Sequence, residues 1–519
     1  MPVIAATGRK RRKVRFPSTN PTVQVEKPQP QKAQTQLPAS SSSSLESGSR
    51  YYQSPTRGVK MADATIHAAI PRLFQEPPVI RDTLITETSE LQAETVNKCL
   101  PFLAGAHSSQ KGPLNRHGVP SLMRDVHIGY LYDSLEDYPP GFVAMDASRP
   151  WMIYWALAAL SLLGEDLSRH RERAIATITP MQNPTGGFGG GHGQISHCAS
   201  SYAAVLSLAM VGGEEAFNLI DRQAMWKWLG RLKQPDGGIT VCEGGEEDVR
   251  GAYCAMVIIS LLNLPLTLPP GAKAREYGLE TFTDGLWEYL SRCQTFEGGI
   301  SGSPGSEAHG AYAFCALACL CILGEPEATI PKCMDVQMLL SWLSARQYAP
   351  EGGFAGRTNK LVDGCYSHWV GSCWPLIQSA LDGVQNAAGP QPVAGNLYSR
   401  EGLTRYILGC CQSKNGGLRD KPGKHPDSYH TCYTLTGLSS VQHYHYHTNS
   451  SVVPNGRFSS AFSWKCRPAW DSDDKGYDVN VFDESDRLKA FHPLYVIPHK
   501  AAENMRLWCE QKPLENYGE

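Results

Sequence analysis

The chain has 519 residues, with 48 Lys+Arg against 50 Asp+Glu and a net charge of −2, a balance that excludes a global field drawing in nucleic acid or an anionic membrane. Its long apolar runs, Trp151 to Leu163 and Ala311 to Leu323, stop at 13 residues, short of the ~20 that make a transmembrane helix. Sixteen cysteines are scattered through apolar segments with no CxxC pair and no secretory signal, so the expectation is free thiols in a reducing compartment and a cytoplasmic protein.

Residues 1–60 are rich in Ser, Pro and Gln without apolar periodicity and read as a disordered tail. Its basic cluster, Arg9 to Arg15, reads as a solvated charged tail. Weakly periodic segments between 80 and 135 predict helices leading into the main domain, which runs from 80 to 443. From Trp151 onward the chain repeats. Glycine pairs recur at 186, 237, 298, 352 and 416, in steps of 51, 61, 54 and 64 residues. A glutamine stands shortly before each pair: Gln182, Gln234, Gln294, Gln347 and Gln412. Periods of this size mean one supersecondary unit used again and again.

Each turn is preceded by an amphipathic helix, as in Arg222 to Lys233, Asp335 to Arg346 and Glu401 to Cys411. Each is followed by a nearly all-apolar one, as in Ala252 to Leu262 and Ala311 to Leu323. A helix apolar on every side must be surrounded by protein. Alternating outer and inner helices therefore predict an all-α chain closed into a double ring, an α-α toroid barrel. An open solenoid is the alternative, but it leaves one face of every inner helix uncovered.

Polar residues cluster at the starts of the inner helices: His197, Arg250, His309, Tyr366 and His430. In four of them an aromatic follows one turn later, giving Arg250/Tyr253, His309/Tyr312, Tyr366/Trp369 and His430/Tyr433, and i and i+3 share a face. Any single pair reads as a cap and a core residue. Four at equivalent places, joined by Arg357 and Lys360, predict a rim of donors and cations above an aromatic funnel. That suits a ligand with an anionic head and an apolar tail. Asp363 and Cys365, with His430 at the equivalent point of the next repeat, make a three-ligand set. Three protein ligands with an open position are the pattern of a catalytic zinc, which would hold a substrate thiol as thiolate.

Residues 444–486 are polar and read as an insertion, and 487–519 as a segment packing back onto the barrel. Asp471-Ser472-Asp473-Asp474 matches the DxDD acid of class II terpene cyclases but lies outside the repeats, so it reads as coincidence. His443, His445 and His447 alternate as on an extended segment and read as a solvated loop.

The motifs DASRPWMIYW (146–155), GGFGGGHGQISH (186–197), VRGAYC (249–254), EAHGAYAFC (307–315), GRTNKLVDGCYSHW (356–369) and DKPGKHPDSYHTCY (420–433) resemble those of the beta subunits of protein farnesyltransferases. The likeness covers roughly residues 80–440 and 488–513. It implies an α6/α6 barrel, zinc on Asp363, Cys365 and His430, and magnesium on Asp420. It implies a diphosphate cradle of His309, Arg357, Lys360 and Tyr366, the last also catalytic. Arg250, Tyr253, Tyr312, Cys315 and Trp369, with Trp151 at the far end, correspond to the isoprenoid wall. Trp151, Trp155, Tyr429 and His197 correspond to the surface for the C terminus of a CaaX protein. The resemblance also implies an alpha-subunit partner and farnesyl diphosphate as donor. Trp151 and Asp420 fall on the farnesyl side, since geranylgeranyl relatives carry a small residue and a lysine there. Ser200, where animal relatives have proline, and the 444–486 stretch are departures from the family pattern.

Overall fold

The computed structural model describes residues 70–78, 83–104, 114–384, 396–448, 458–469 and 480–514. The N-terminal tail with its basic cluster, and Asp471 to Asp474, lie outside the described residues. Among those described, six inner helical elements form a ring: Arg149–Leu163, Cys198–Val211, Val249–Leu261, Gly310–Leu323, a broken fifth, and Ser428–Gln442. Each packs on the next and the sixth packs on the first, so the ring closes and the solenoid alternative falls away. The inner helices are apolar all round because all round they touch protein; the second is buried at every position.

Six outer helices alternate with them in the chain: Arg124–Asp133, Arg171–Ile178, Arg222–Leu232, Leu286–Arg292, Val336–Ser344, and Arg400–Arg405 continued as a π-helix to Cys411. The glycine pairs sit where a turn meets the next outer helix. At Gly186 the backbone is left-handed (φ 98°), and a Cβ there would lie 2.0 Å from the carbonyl oxygen of Ala224. Gly416 makes the same approach to Val126 and Tyr130, which joins the last repeat to the first outer helix.

The recurrent glutamine has a structural reason. The side-chain amide of Gln294 donates to the Asp335 carbonyl (3.0 Å) and accepts from its N–H (2.7 Å). Gln347 does the same to Ser399, at 2.8 and 2.9 Å. One amide thus holds the start of the following outer helix. Gln182 and Gln412 bond the equivalent backbone. In the third repeat the equivalent residue is not Gln234 but Lys233, the one bridged across the turn to Ile239. Its buried Nζ donates to the carbonyls of Gly237 (2.7 Å) and Phe282 (2.9 Å).

Burial lowers the pKa of Lys233 to about 8. Above pH 8 the unfolded chain still binds this proton while the folded chain releases it, so stability should rise with pH between about 8 and 10.5. In Lys233→Gln that rise, at most about 3 kcal/mol, should be missing. Thermal unfolding of both proteins at pH 8 and pH 9.5 measures it.

The fifth inner helix is broken into Tyr366–Trp369 and Cys373–Asp382. Pro375 cannot donate to the Gly371 carbonyl and its ring excludes a continuous helix there. The break leaves the short first piece to be aimed by its own loop.

The C-terminal segment closes one end of the barrel. The backbone carbonyls of Leu494, Tyr495 and Val496 accept the hydroxyls of Tyr253 (2.7 Å), Tyr202 (3.4 Å) and Tyr154 (2.9 Å). Val496 does this with φ 58°, a strained conformation for a β-branched residue. The helix His499–Gln511 then packs on the second and third inner helices.

The solvated-loop reading of the HYHYH stretch is corrected. His443–His447 is a strand (β1), paired antiparallel with Trp464–Pro468 (β2) so that His445 faces Cys466. The period of two puts the three imidazoles on one side, against the fifth and sixth inner helices, where they are 5, 8 and 1% exposed. This small hairpin is the one β-sheet among the described residues of an otherwise helical domain.

Candidate active site

Asp363, Cys365 and His430 converge, with one ligand atom of each lying within 4.8 Å of the others. A bridge between Ala355 and Val362 closes the loop that carries Asp363. Asp363 then accepts the Cys365 N–H (2.9 Å), which fixes the Asp-x-Cys geometry just ahead of Tyr366–Trp369. His430 comes from the first turn of the neighbouring sixth inner helix. Its Nε2 lies 3.3 Å from Asp363 Oδ1, and its Nδ1 lies 2.7 Å from Asp427 Oδ2. Asp427 also caps that helix by accepting the His430 N–H (2.7 Å).

Burial pushes the Cys365 thiol up to about 12, and the Asp363 charge adds to this. Burial opposes charge on His430, yet its bonds to Asp363 and Asp427 hold its pKa well above the usual imidazole range. The donor set of one oxygen, one sulfur and one nitrogen suits zinc, and a carboxylate on the second imidazole nitrogen is the usual outer support of such a ligand. Asp427 went unnoticed in the sequence; an Asp three residues before a ligand histidine at a helix start was the available signal.

The rim lies beside this cluster. His309 caps the fourth inner helix, its Nδ1 accepting the Ala311 N–H (3.1 Å) and its Nε2 lying 3.1 Å from the Tyr366 hydroxyl. Burial, reinforced by the Arg357 charge, pushes His309 down to about 4. The imidazole is therefore neutral, and with Nδ1 accepting, Nε2 carries the proton. Arg357 pairs with Glu307 (2.5 Å), and the exposed Lys360 follows in the same turn. Arg250 is held by Asp248 and Glu246 and lies over the Tyr312 ring, 5.7 Å from its centroid. His197 caps the second inner helix through the Ala199 N–H (3.0 Å), in the field of Glu246 and Arg250. Asp420 is half-buried, and its carboxylate bonds the ammonium of Lys421.

Below the rim the aromatics form an unbroken belt drawn from all six inner elements. Trp151 contacts Tyr202 (5.7 Å between centroids), Tyr202 contacts Tyr253 (5.5 Å), Tyr253 contacts Phe314 (5.8 Å) and Phe314 contacts Trp369 (5.9 Å). Trp369 contacts Tyr433 (4.5 Å), Tyr433 contacts Tyr429 (5.0 Å), Tyr429 contacts Trp155 (5.4 Å), and Trp155 returns to Trp151 (5.7 Å). Trp369 Nε1 donates to the Tyr429 hydroxyl (3.0 Å). Cys315 is fully buried, its thiol pushed up to about 12 by burial. The belt includes Tyr202 and Phe314, which the sequence reading did not single out; each sits in an apolar helix where a ring is expected anyway.

The prenyltransferase alpha-alpha toroid domain matches residues 122–497. The chain is 53% identical over 442 residues to the Pyricularia oryzae protein named protein farnesyltransferase subunit beta, covering 83% of this chain and 82% of that one. It is 38% identical to the protein of the same name from Schizosaccharomyces pombe, covering 81% and 96%. A solved structure of Candida albicans protein geranylgeranyltransferase-I complexed with GGPP superposes with a TM-score of 0.53 at 20% identity, covering 74% of this chain and 98% of that one. At that identity the last likeness speaks for the fold alone.

Proposed function

Because this chain belongs to the protein farnesyltransferase beta-subunit family, we propose that it is the catalytic subunit that moves a farnesyl group from farnesyl diphosphate to the cysteine thiol of a C-terminal CaaX sequence, working with an alpha subunit. The observation that carries this reading is the meeting of the Asp363/Cys365/His430 cluster, a cationic rim and an aromatic belt in one place. The alternatives of other classes fit less well: a terpene cyclase has no use for the Asp-Cys-His cluster, and a thioester-type barrel needs a Cys-Gly-Glu-Gln stretch that the sequence lacks.

The residues divide the work. Arg357 and Lys360 bind the diphosphate by charge-assisted bonds, with the Arg fork spanning two oxygens. The His309 N–H and the Tyr366 hydroxyl donate to the same group as negative charge builds on it during C–O cleavage. The belt from Trp151 to Tyr433 holds the farnesyl chain extended and keeps water from the reacting carbon. Trp155, Tyr429 and His197 face the CaaX end. Zinc on Asp363, Cys365 and His430 would supply a lowered pKa to the substrate thiol, keeping it nucleophilic at neutral pH. Asp420 would hold a magnesium ion, whose charge would offset that of the diphosphate.

The test is co-expression with a farnesyltransferase alpha subunit, offering farnesyl and geranylgeranyl diphosphate in competition for a CaaX peptide with zinc present and magnesium varied. Magnesium-stimulated farnesyl transfer supports the reading. Magnesium-independent geranylgeranyl transfer overturns the substrate, and no transfer overturns the activity.

Asp427→Asn keeps the helix cap but removes the charge behind His430. Zinc affinity should fall about 10–100-fold with little change in thermal stability. Competition against a calibrated chelator reads it directly.

A further inference from the structure

We propose that Lys421 is an internal counter-ion that occupies the cation place at Asp420 and moves to Glu351 when a divalent metal ion takes that place. The proposal rests on the reading of Asp420 as a metal-binding carboxylate and adds two residues to it.

The geometry begins with a fixed backbone. The Asp420 carbonyl accepts both the Gly364 N–H (2.8 Å) and the Tyr406 hydroxyl (2.8 Å), so the main chain at 420 is pinned to the loop that carries Asp363 and Cys365. The side chains are not pinned in the same way. The Asp420 carboxylate bonds the Lys421 ammonium, whose side chain is 10% exposed, and no other side-chain partner of that ammonium is recorded among the described residues. An ammonium on this half-buried carboxylate is a stand-in for the divalent ion that the site would hold, and the two cannot share it: adding a divalent charge beside a bound ammonium at a site largely shielded from water is opposed.

A second seat is ready. Glu351 opens the turn at Gly352 and is fully buried. One carboxyl oxygen accepts the Gln92 amide (2.7 Å); the other, Oε2, has no hydrogen-bond partner. A buried carboxyl oxygen without a partner is costly and calls for an explanation. The fold brings Glu351 to the same neighbourhood, since the ring of Tyr406, whose hydroxyl bonds the Asp420 carbonyl, lies against Gly353, and the Lys421 charge favours ionisation of Glu351 as it does of Asp363 and Asp420. A rotation of the flexible lysine stem would pair Glu351 Oε2 and bare Asp420. Lys421 is thus a positioning residue: it keeps Asp363 and Asp420 compatible as neighbours until the metal replaces it.

The test is a double-mutant cycle on the full chain co-expressed with the alpha subunit, zinc-loaded and with farnesyl diphosphate bound. Mn²⁺ is the probe, and its free-ion electron paramagnetic resonance signal is the readout. Lys421→Met should bind Mn²⁺ roughly tenfold more tightly, since a competing charge-assisted bond is gone. Glu351→Gln should bind it several-fold more weakly, because the ammonium loses its second seat. In the double variant the Glu351→Gln effect should vanish. A folded Lys421→Met with unchanged or weaker Mn²⁺ binding overturns the proposal, as do additive effects in the double variant, which a plain charge effect would give. If Lys421→Met does not fold, unchanged binding in Glu351→Gln overturns it alone. Mn²⁺ binding that survives Asp420→Ala in the wild-type background overturns both the proposal and the reading of Asp420, whereas a response at Asp420 but none at Lys421 removes only the counter-ion.

Discussion

Cys365→Ala and His430→Ala are each expected to lose transfer by about 10³-fold or more and to retain less than stoichiometric zinc, while farnesyl diphosphate still binds. The separation follows from where the residues stand. The metal cluster is built by Asp363, Cys365 and His430, whereas the groups proposed for the diphosphate are His309, Arg357, Lys360 and Tyr366, and His309 and Tyr366 are bonded to each other rather than to the cluster. Removing a ligand withdraws the activation of the thiol, a contribution of several kcal/mol, and leaves the anion cradle in place. Burial keeps the Cys365 thiol protonated when no cation is bound, with a pKa near 12, so an alanine there removes no charge from the metal-free fold. Metal analysis of the purified heterodimer, with fluorescence titration of a diphosphate analogue, checks the two halves separately. Full zinc content in both variants would remove the cluster from the mechanism.

Trp151→Thr is expected to change which isoprenoid is preferred. The indole packs within the belt, stacked on Trp155 and against Tyr154 and Tyr202, and is 3% exposed. Cutting it to a threonine opens space of the order of one isoprene unit at a point where the remaining wall is held by its own contacts. A five-carbon extension is several methylenes, each worth about 1 kcal/mol once it has room. The ratio of kcat/KM for geranylgeranyl over farnesyl diphosphate should therefore rise about 10²-fold or more. Competition between the two diphosphates for one peptide gives that ratio without separate constants. An unchanged ratio would mean that the chain end lies elsewhere along the belt. Thermal stability is expected to fall modestly, because the packed indole is lost.

Much of this site was legible because its parts sit at repeat-equivalent positions. The glycine pairs marked the turns, and the turns marked the helix starts where His309, Tyr366 and His430 stand. What stayed hidden depended on three-dimensional closure. Lys233 replaces the recurrent glutamine with a different side chain that satisfies the same carbonyl-rich turn, so counting glutamines put the third repeat one residue out. The buried face of β1 came from a partner strand twenty residues away and from helices that precede it, neither of which marks HYHYH as anything but polar. Asp427 and Lys421 escaped because a carboxylate behind a ligand and a lysine beside a carboxylate look ordinary until the loop from 420 to 427 is folded against Asp363. The break in the fifth inner helix was signalled by Pro375 but needed the ring to show its use, since it frees Tyr366 to turn toward His309.

The hydroxyls of Tyr154, Tyr202 and Tyr253 end on the carbonyls of residues 494 to 496, and the partner of Tyr154 lies 342 positions further along the chain. During synthesis, therefore, the first inner helix leaves the ribosome long before the backbone that its hydroxyl will bond. The sixth inner helix, which closes the ring against the first, also emerges late. Contacts of such sequence separation form slowly, and until they do the nascent ring exposes apolar helices with no partner, the kind of surface that chaperones cover. A ribosome stalled after residue 480 would carry the ligands Asp363, Cys365 and His430 but not the segment that seals the far end of the barrel.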